Sequence, residues 1–226
     1  QIVGPAGTQT VFFEELEPVV DLVPATALVV HGTAEPNAIN YVTGSTDLHG
    51  LITIDNYESL EFLGKELVTI HAGSGDDTVN LHNALTPWAL VDVTVDAGDG
   101  DDVVTARSAA SVPATFLGGA GHDRLDASGA VAGATLDGGD GDDDLLGGPG
   151  DDDLVGGSGD DVLVGGLGNN TVKWVPSAGG APALNDLAAG GLSMVTASPV
   201  EAKSLSEAGK VKILAVMDSQ RVASFP

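Results

Sequence analysis

The chain has no cysteine, so neither disulfides nor thiolate chemistry contribute to it. Bases are nearly as scarce: 8 Lys and Arg stand against 33 Asp and Glu, a formal net charge of −25. Without a basic stripe there is nothing to receive a phosphate backbone, which excludes nucleic acid as a partner. No apolar run approaches the ~20 residues that a membrane-spanning helix needs. Aromatic residues make up only 4% of the 226. The five histidines, His31, His49, His71, His82 and His122, are scattered without metal-ligand or triad spacing, and no G-x-S-x-G elbow occurs. Catalysis therefore finds no support, and the chain is expected not to be an enzyme.

Glycine, by contrast, is abundant at 32 residues, and it recurs in a nine-residue phrase. Four contiguous copies read GGDGDDDLL from Gly138, GGPGDDDLV from Gly147, GGSGDDVLV from Gly156 and GGLGNNTVK from Gly165. Three separate copies are AGSGDDTVN from Ala72, AGDGDDVVT from Ala97 and GGAGHDRLD from Gly118. Glycines at positions one, two and four let the backbone turn through positive φ. Positions five and six place an acidic pair on that turn. The aliphatic residue at position eight begins a short strand pointing inward, as Leu154 does after Asp152. One nonamer cannot bury its apolar residue alone, so copies must stack, each rung ~4.8 Å from the last.

Spacing sets how they stack. Gly138 and Gly156 are eighteen residues apart, as are Gly147 and Gly165, so two nonamers make one coil with acidic turns on both edges. The starts at Gly118, Ala97 and Ala72 lie 20, 21 and 25 residues before the next member of the first column. One ladder of turns is thus expected from Ala72 to Asp161, with a shorter second ladder near its C-terminal end. Arg107–Val112 and Ala127–Gly133 would form the opposite edge. Earlier, GTAEPNAIN from Gly32 keeps Asn37 at position six and Ile39 at position eight. LITI (Leu51–Ile54), LVTI (Leu67–Ile70) and VDVTV (Val91–Val95) read as strands by alternation and β-branching. The expected fold is all-β: a right-handed parallel β-helix or β-roll solenoid over 27–175, with its contiguous repeats at 138–173. An ordinary β-sandwich is the alternative for these strands.

Ten of the acids fall between Asp137 and Asp161 with no base among them. Two carboxylates about 5 Å apart repel by roughly 3 kcal/mol at an effective dielectric of 20. Stacked turns repeat that cost against a domain stability of about 5–15 kcal/mol, so a cation is expected between them. Hard oxygen donors with no Cys or His in the contiguous block favour Ca²⁺, in several copies, over zinc or copper. An EF-hand is excluded, because the twelfth residue from Asp96 is Arg107 and from Asp137 is Gly148. A solvated acidic face would explain the charge but not the fixed glycines.

The seven copies follow G-G-x-G-x-D-x-U-x, with Ala at position one in two and Asn at position six in the last, and the chain thereby resembles the RTX, or haemolysin-type calcium-binding, β-roll family. The resemblance implies that the position-six residues Asp77, Asp102, Asp123, Asp143, Asp152 and Asp161 hold Ca²⁺ between a turn and its neighbour one coil away. Backbone oxygens of the glycine turns would assist, which brings in Gly138, Asp140, Gly147 and Gly156. It implies the strongest sites between Asp123 and Asp143 and between Asp143 and Asp161. Asn170 replaces the acid in the last copy, which makes the Asp152–Asn170 site weaker or absent. His122 reads as a surface variation, and the copies at Asp77 and Asp102, with longer spacers, are candidates for lost geometry. Parallel β-helices also host polysaccharide lyases and epimerases, but those bring bases beside acids on one face. Here only Lys65 and Arg107 precede Arg124.

The edges differ in character. Residues 1–26 read as an N-terminal cap or linker in which Phe12, Phe13 and Leu16 plug the open end or dock another subunit. The chain opens at Gln1, as expected of a fragment or of a chain whose leader is removed. Residues 176–226 form a short non-repetitive C-terminal cap or tail. There Ser204 and Glu207 suggest a capped helix, while Val211–Val216 reads equally as a strand. Lys203, Lys210, Lys212 and Arg221 make this end basic, which suits either internal packing or contact between copies. The functional expectation is a secreted, extracellular module that folds on Ca²⁺ and acts structurally or adhesively at a bacterial cell surface or matrix. Alternatives are the folding and secretion module of a larger exported enzyme, or a self-assembling filament or surface-layer subunit. Calcium ions are the expected partners, with copies of itself or cell-surface components beside them.

Overall fold

A computed structural model of the chain describes residues 8–12, 19–55, 58–83, 86–107 and 112–173. The expectations for Phe13, Leu16 and 176–226, including Ser204, Glu207 and 211–216, lie outside the described residues. Among the described residues there are strands and turns and no helix. The chain passes alternately between two sheets. The first is parallel throughout, in the order β1 (Thr8–Phe12), β3 (Ala25–His31), β7 (Lys65–Ser74), β9 (Asp92–Asp99), β11 (Ala114–Ala120), β13 (Ala134–Asp140), β15 (Asp153–Ser158) and β17 (Thr171–Lys173). The second runs β2 (Val19–Asp21), β6 (Glu58–Phe62), β5 (Gly50–Ile54), β4 (Ala38–Thr43), β8 (Thr78–Leu81), β10 (Val103–Ala106), β12 (Arg124–Asp126), β14 (Asp144–Leu146) and β16 (Val162–Val164). This is a parallel β-roll, in which each coil contributes one strand to each sheet.

The repeat phase sets the register. The position-two glycines pair in one row, Gly73 with Gly98, Gly98 with Gly119, Gly119 with Gly139 and Gly139 with Gly157. Unequal repeat spacings are absorbed on the opposite edge, at 127–133 among others, so the glycine row stays aligned. Gly139 and Gly141 have φ of 109° and 140°, and a Cβ on either would strike a carbonyl oxygen of the preceding coil, Gly119 or Gly121. No other residue fits there without moving the neighbouring coil.

The core lies between the sheets. Val95 and Phe116 in the first sheet alternate with outward residues and face Val79, Val104 and Leu125 in the second, all fully buried. The position-eight residues Leu145 and Leu154 continue this line, while Leu163 is partly buried. The N-terminal coils carry the bulk: Tyr41, Ile52, Leu60 and Phe62 are buried together, with the Tyr41 and Phe62 rings stacked 5.9 Å apart.

Two features depart from a simple parallel coil. LITI lies in β5, which pairs antiparallel with both β4 and β6. The chain between β3 and β7 is too long for one coil, and the excess folds as in-plane hairpins. Burial then alternates along the strand just as in the parallel ones. Ahead of residue 27, where a cap or linker was expected, β1 pairs in parallel with β3 and β2 with β6. That end is anchored by Lys65, whose Nζ lies 2.9 Å from Asp21 Oδ2 with both side chains buried and also donates to the Val23 carbonyl. Lys65 is thus occupied as a structural counter-ion.

Candidate metal-binding turns

In the repeats from Ala72, Ala97, Gly118, Gly138 and Gly156 the residues at positions five and six sit where the chain crosses from the first sheet to the second, on one edge of the roll. The two acids do different things. On this edge each position-six aspartate turns inward, and its Oδ1 accepts the main-chain N–H of the position-six residue one coil earlier. Asn37 donates to Asp77 (2.7 Å), Asp77 to Asp102 (2.7 Å), Asp102 to Asp123 (2.9 Å), Asp123 to Asp143 (2.8 Å) and Asp143 to Asp161 (3.1 Å). The second oxygens of Asp77, Asp102, Asp123, Asp143 and Asp161 are buried with no hydrogen-bond partner. A desolvated carboxylate oxygen left so costs about 1–3 kcal/mol or more.

The position-five residues form a second ladder in the opposite sense on the exposed side. Asp76 Oδ1 accepts from Asp101 N–H (3.1 Å), Asp101 from His122 (2.8 Å) and Asp142 from Asp160 (2.8 Å). His122 keeps the ladder unbroken, its Nδ1 accepting from Asp142 N–H at 3.0 Å, which requires that nitrogen to be unprotonated. These acids were not singled out from sequence, although the recurrence of D-D at coil spacing was the available signal.

The unpartnered inner oxygens lie against the position-one glycines. A Cβ placed on Gly138 would strike both Asp143 Oδ2 and the Gly156 carbonyl oxygen. A Cβ on Gly118 would strike Asp123 Oδ2 and the Gly138 carbonyl oxygen. Each glycine thus leaves room between a carboxylate oxygen and a main-chain oxygen of the next coil. Gly156 leaves similar room beside Asp161 Oδ2. Two hard oxygens of this kind, one of them charged, suit Ca²⁺. Among the described residues no three His, Asp or Glu side chains converge on a point. One carboxylate per turn is what an inward ladder supplies, so main-chain carbonyls would have to provide the other ligands of an ion held there.

Burial dominates the electrostatics of the ladder. It pushes Asp77 up to about 6 and Asp123 up to about 7, and it raises Asp102, Asp143 and Asp161 as well. Neighbouring carboxylates add to the rise, while the ladder hydrogen bond opposes it. Calcium bound beside these oxygens would supply the positive charge that keeps them ionised.

The second ladder, on the other edge, is shorter. Asp152 is buried, but both its oxygens are engaged: Oδ1 accepts from Ala134 N–H (2.8 Å) and Oδ2 from Gly148 N–H (2.9 Å). Gly147 still leaves room between Asp152 Oδ2 and the Gly165 carbonyl oxygen. Asn170 Oδ1 accepts from Asp152 N–H (2.9 Å), and its Nδ2 donates to the Leu167 carbonyl, so no free oxygen remains. Asp140 is not brought to the inner ladder: its side chain is exposed, and its carbonyl oxygen accepts from Gly121 N–H.

The RTX calcium-binding nonapeptide repeat family matches the chain in four copies, over residues 68–82 and 137–172. No curated protein and no solved structure matches the chain. The matched segments contain the turns at Asp77, Asp143, Asp152, Asp161 and Asn170, so motif, roll and inward carboxylates coincide. This chain is a parallel β-roll that carries RTX calcium-binding nonapeptide repeats at residues 68–82 and 137–172.

Proposed function

We propose that the chain is an exported structural module whose roll is completed by Ca²⁺ outside the cell, and that it serves a scaffolding or adhesive role at a bacterial surface or in its matrix. One observation carries this reading: a continuous row of buried aspartates, each with one oxygen in a backbone ladder and the other without a partner. The ladder alone explains why the carboxylates are held in line, but not why their second oxygens are desolvated. Asp123 and Asp143 would each give an Oδ2 to an ion shared with the carbonyl oxygen of the following coil.

Sites of this composition in extracellular modules work at about 10⁻⁴–10⁻³ M calcium. They would stay empty in a calcium-poor cytoplasm and fill on export, and binding to the folded form alone stabilises it by mass action. The test is thermal unfolding followed by circular dichroism in EDTA, in calcium and in magnesium. Calcium is expected to raise the midpoint or to create the β signal outright, with magnesium far weaker. Identical curves in all three conditions would refute the reading.

A further inference from the structure

The glycine row that opens these spaces is not uniform. By strand register, position one is Ala72 in β7, Ala97 in β9, Gly118 in β11, Gly138 in β13 and Gly156 in β15, each one residue before the paired position-two glycines. At the three glycines an added Cβ would strike the unpartnered aspartate oxygen. Ala72 and Ala97 carry that Cβ, and both are completely buried and inward-facing. Their methyl groups stand where the other rungs hold an aspartate oxygen, and at Gly118 and Gly138 a main-chain oxygen too, against a bare glycine. One coil earlier, Gly32 leaves space beside Asn37 Oδ1, but the donor there is a neutral amide already accepting from Thr33 N–H at 2.7 Å.

We infer that Ala72 and Ala97 are methyl plugs that close the rungs at Asp77 and Asp102 to calcium, so that ions enter only from Gly118 onward. The family match over 68–82 does not distinguish these cases, because the motif keeps its acids and position-two glycine whether or not position one is filled. The division also follows the core. The coils before Ala97 hold Tyr41, Phe62, Ile52 and Leu60, whereas those after Gly118 rest on single leucines such as Leu145 and Leu154. The N-terminal coils thus form a metal-independent template on which the calcium-dependent coils wind. Edge strands on such a template are ready to accept the next coil, as in other stacked repeats.

This inference rests on the calcium reading above, and calorimetric calcium titration of the full chain separates the two. The unaltered chain is titrated first, and if it takes up no calcium it is the proposed function that fails. If it does bind, the double variant Ala72→Gly/Ala97→Gly is expected to take up two more ions per chain, and an unchanged count overturns the plugs. Gly118→Ala and Gly138→Ala provide the reciprocal arm, each expected to remove one ion, and they decide the matter should the double variant fold poorly. An unchanged count in both would overturn the inference. Hydrogen exchange read by mass spectrometry in EDTA gives an independent readout. Peptides from 65–106 are expected to remain protected while those from 134–173 exchange rapidly until calcium is added. Uniform protection, or uniform loss, contradicts the division.

Discussion

Asp143→Asn should change the sign of its effect with calcium. The amide keeps an oxygen at the ladder position, so the 2.8 Å hydrogen bond from Asp123 N–H survives. What disappears is a charge whose second oxygen has no partner. Without calcium that charge is a burden: carboxylates on adjacent rungs about 5 Å apart repel by roughly 3 kcal/mol at an effective dielectric of 20. Desolvation of the bare oxygen adds about 1–3 kcal/mol. Burial, with Asp161 nearby, raises this carboxyl, the direction expected of a charge held at a cost. Allowing for solvent screening, the variant should gain about 1–2 kcal/mol in EDTA near neutral pH, raising Tm by about 2–8 °C for a chain of this size. In calcium at 100-fold above Kd, loss of one ion removes about 2.7 kcal/mol, which outweighs the gain. Tm should then fall a few degrees below that of the unaltered chain. Paired melts in EDTA and calcium measure both arms. A variant destabilised equally in both conditions would refute the reasoning, because the carboxylate would then be holding the fold by its hydrogen bond alone.

Other consequences can be checked in the same way. In EDTA, Asp77 and Asp123, pushed up to about 6 and about 7, keep protons in the folded chain that the unfolded chain releases near pH 4. Stability should therefore be highest near pH 4 and decline as pH rises through 6 and 7, where calcium should remove only the part of the decline that Asp123 contributes; melts that rise with pH in EDTA would contradict this. Lys65→Met leaves Asp21 buried without its counter-ion and should cost about 3–5 kcal/mol by chemical denaturation, with or without calcium. Phe116→Ala empties a fully buried site midway along the first sheet and should cost about 3–5 kcal/mol by the same assay.

Much of this architecture was legible because the repeat couples three requirements in nine residues. Glycine marks the turn, the acid pair marks its outer and inner faces, and an aliphatic residue marks the return to the core. Phase alone then aligned Gly98, Gly119, Gly139 and Gly157 in one row. The β5–β6 hairpin was less legible, since LITI alternates identically in a parallel or an antiparallel sheet, and only pairing partners distinguish them. The two opposed ladders were hidden for another reason: whether Asp142 or Asp143 faces inward depends on backbone direction at the turn, which composition does not encode. Ala72 and Ala97 were visible as departures from glycine, yet their meaning needed the position of the aspartate oxygens beside them. The Asp21–Lys65 pair joins residues too far apart in sequence for any local pattern to connect.

The central claim is that buried ladder carboxylates and carbonyl oxygens of the following coil hold calcium, and anomalous diffraction from crystals grown in calcium tests it most directly. Calcium peaks are expected within ligand distance of Asp123 Oδ2 and the Gly138 carbonyl, and of Asp143 Oδ2 and the Gly156 carbonyl, with none beside Ala72 or Ala97. Peaks confined to the exposed acids Asp76, Asp101, Asp142 and Asp160, or no peaks at all, would contradict it.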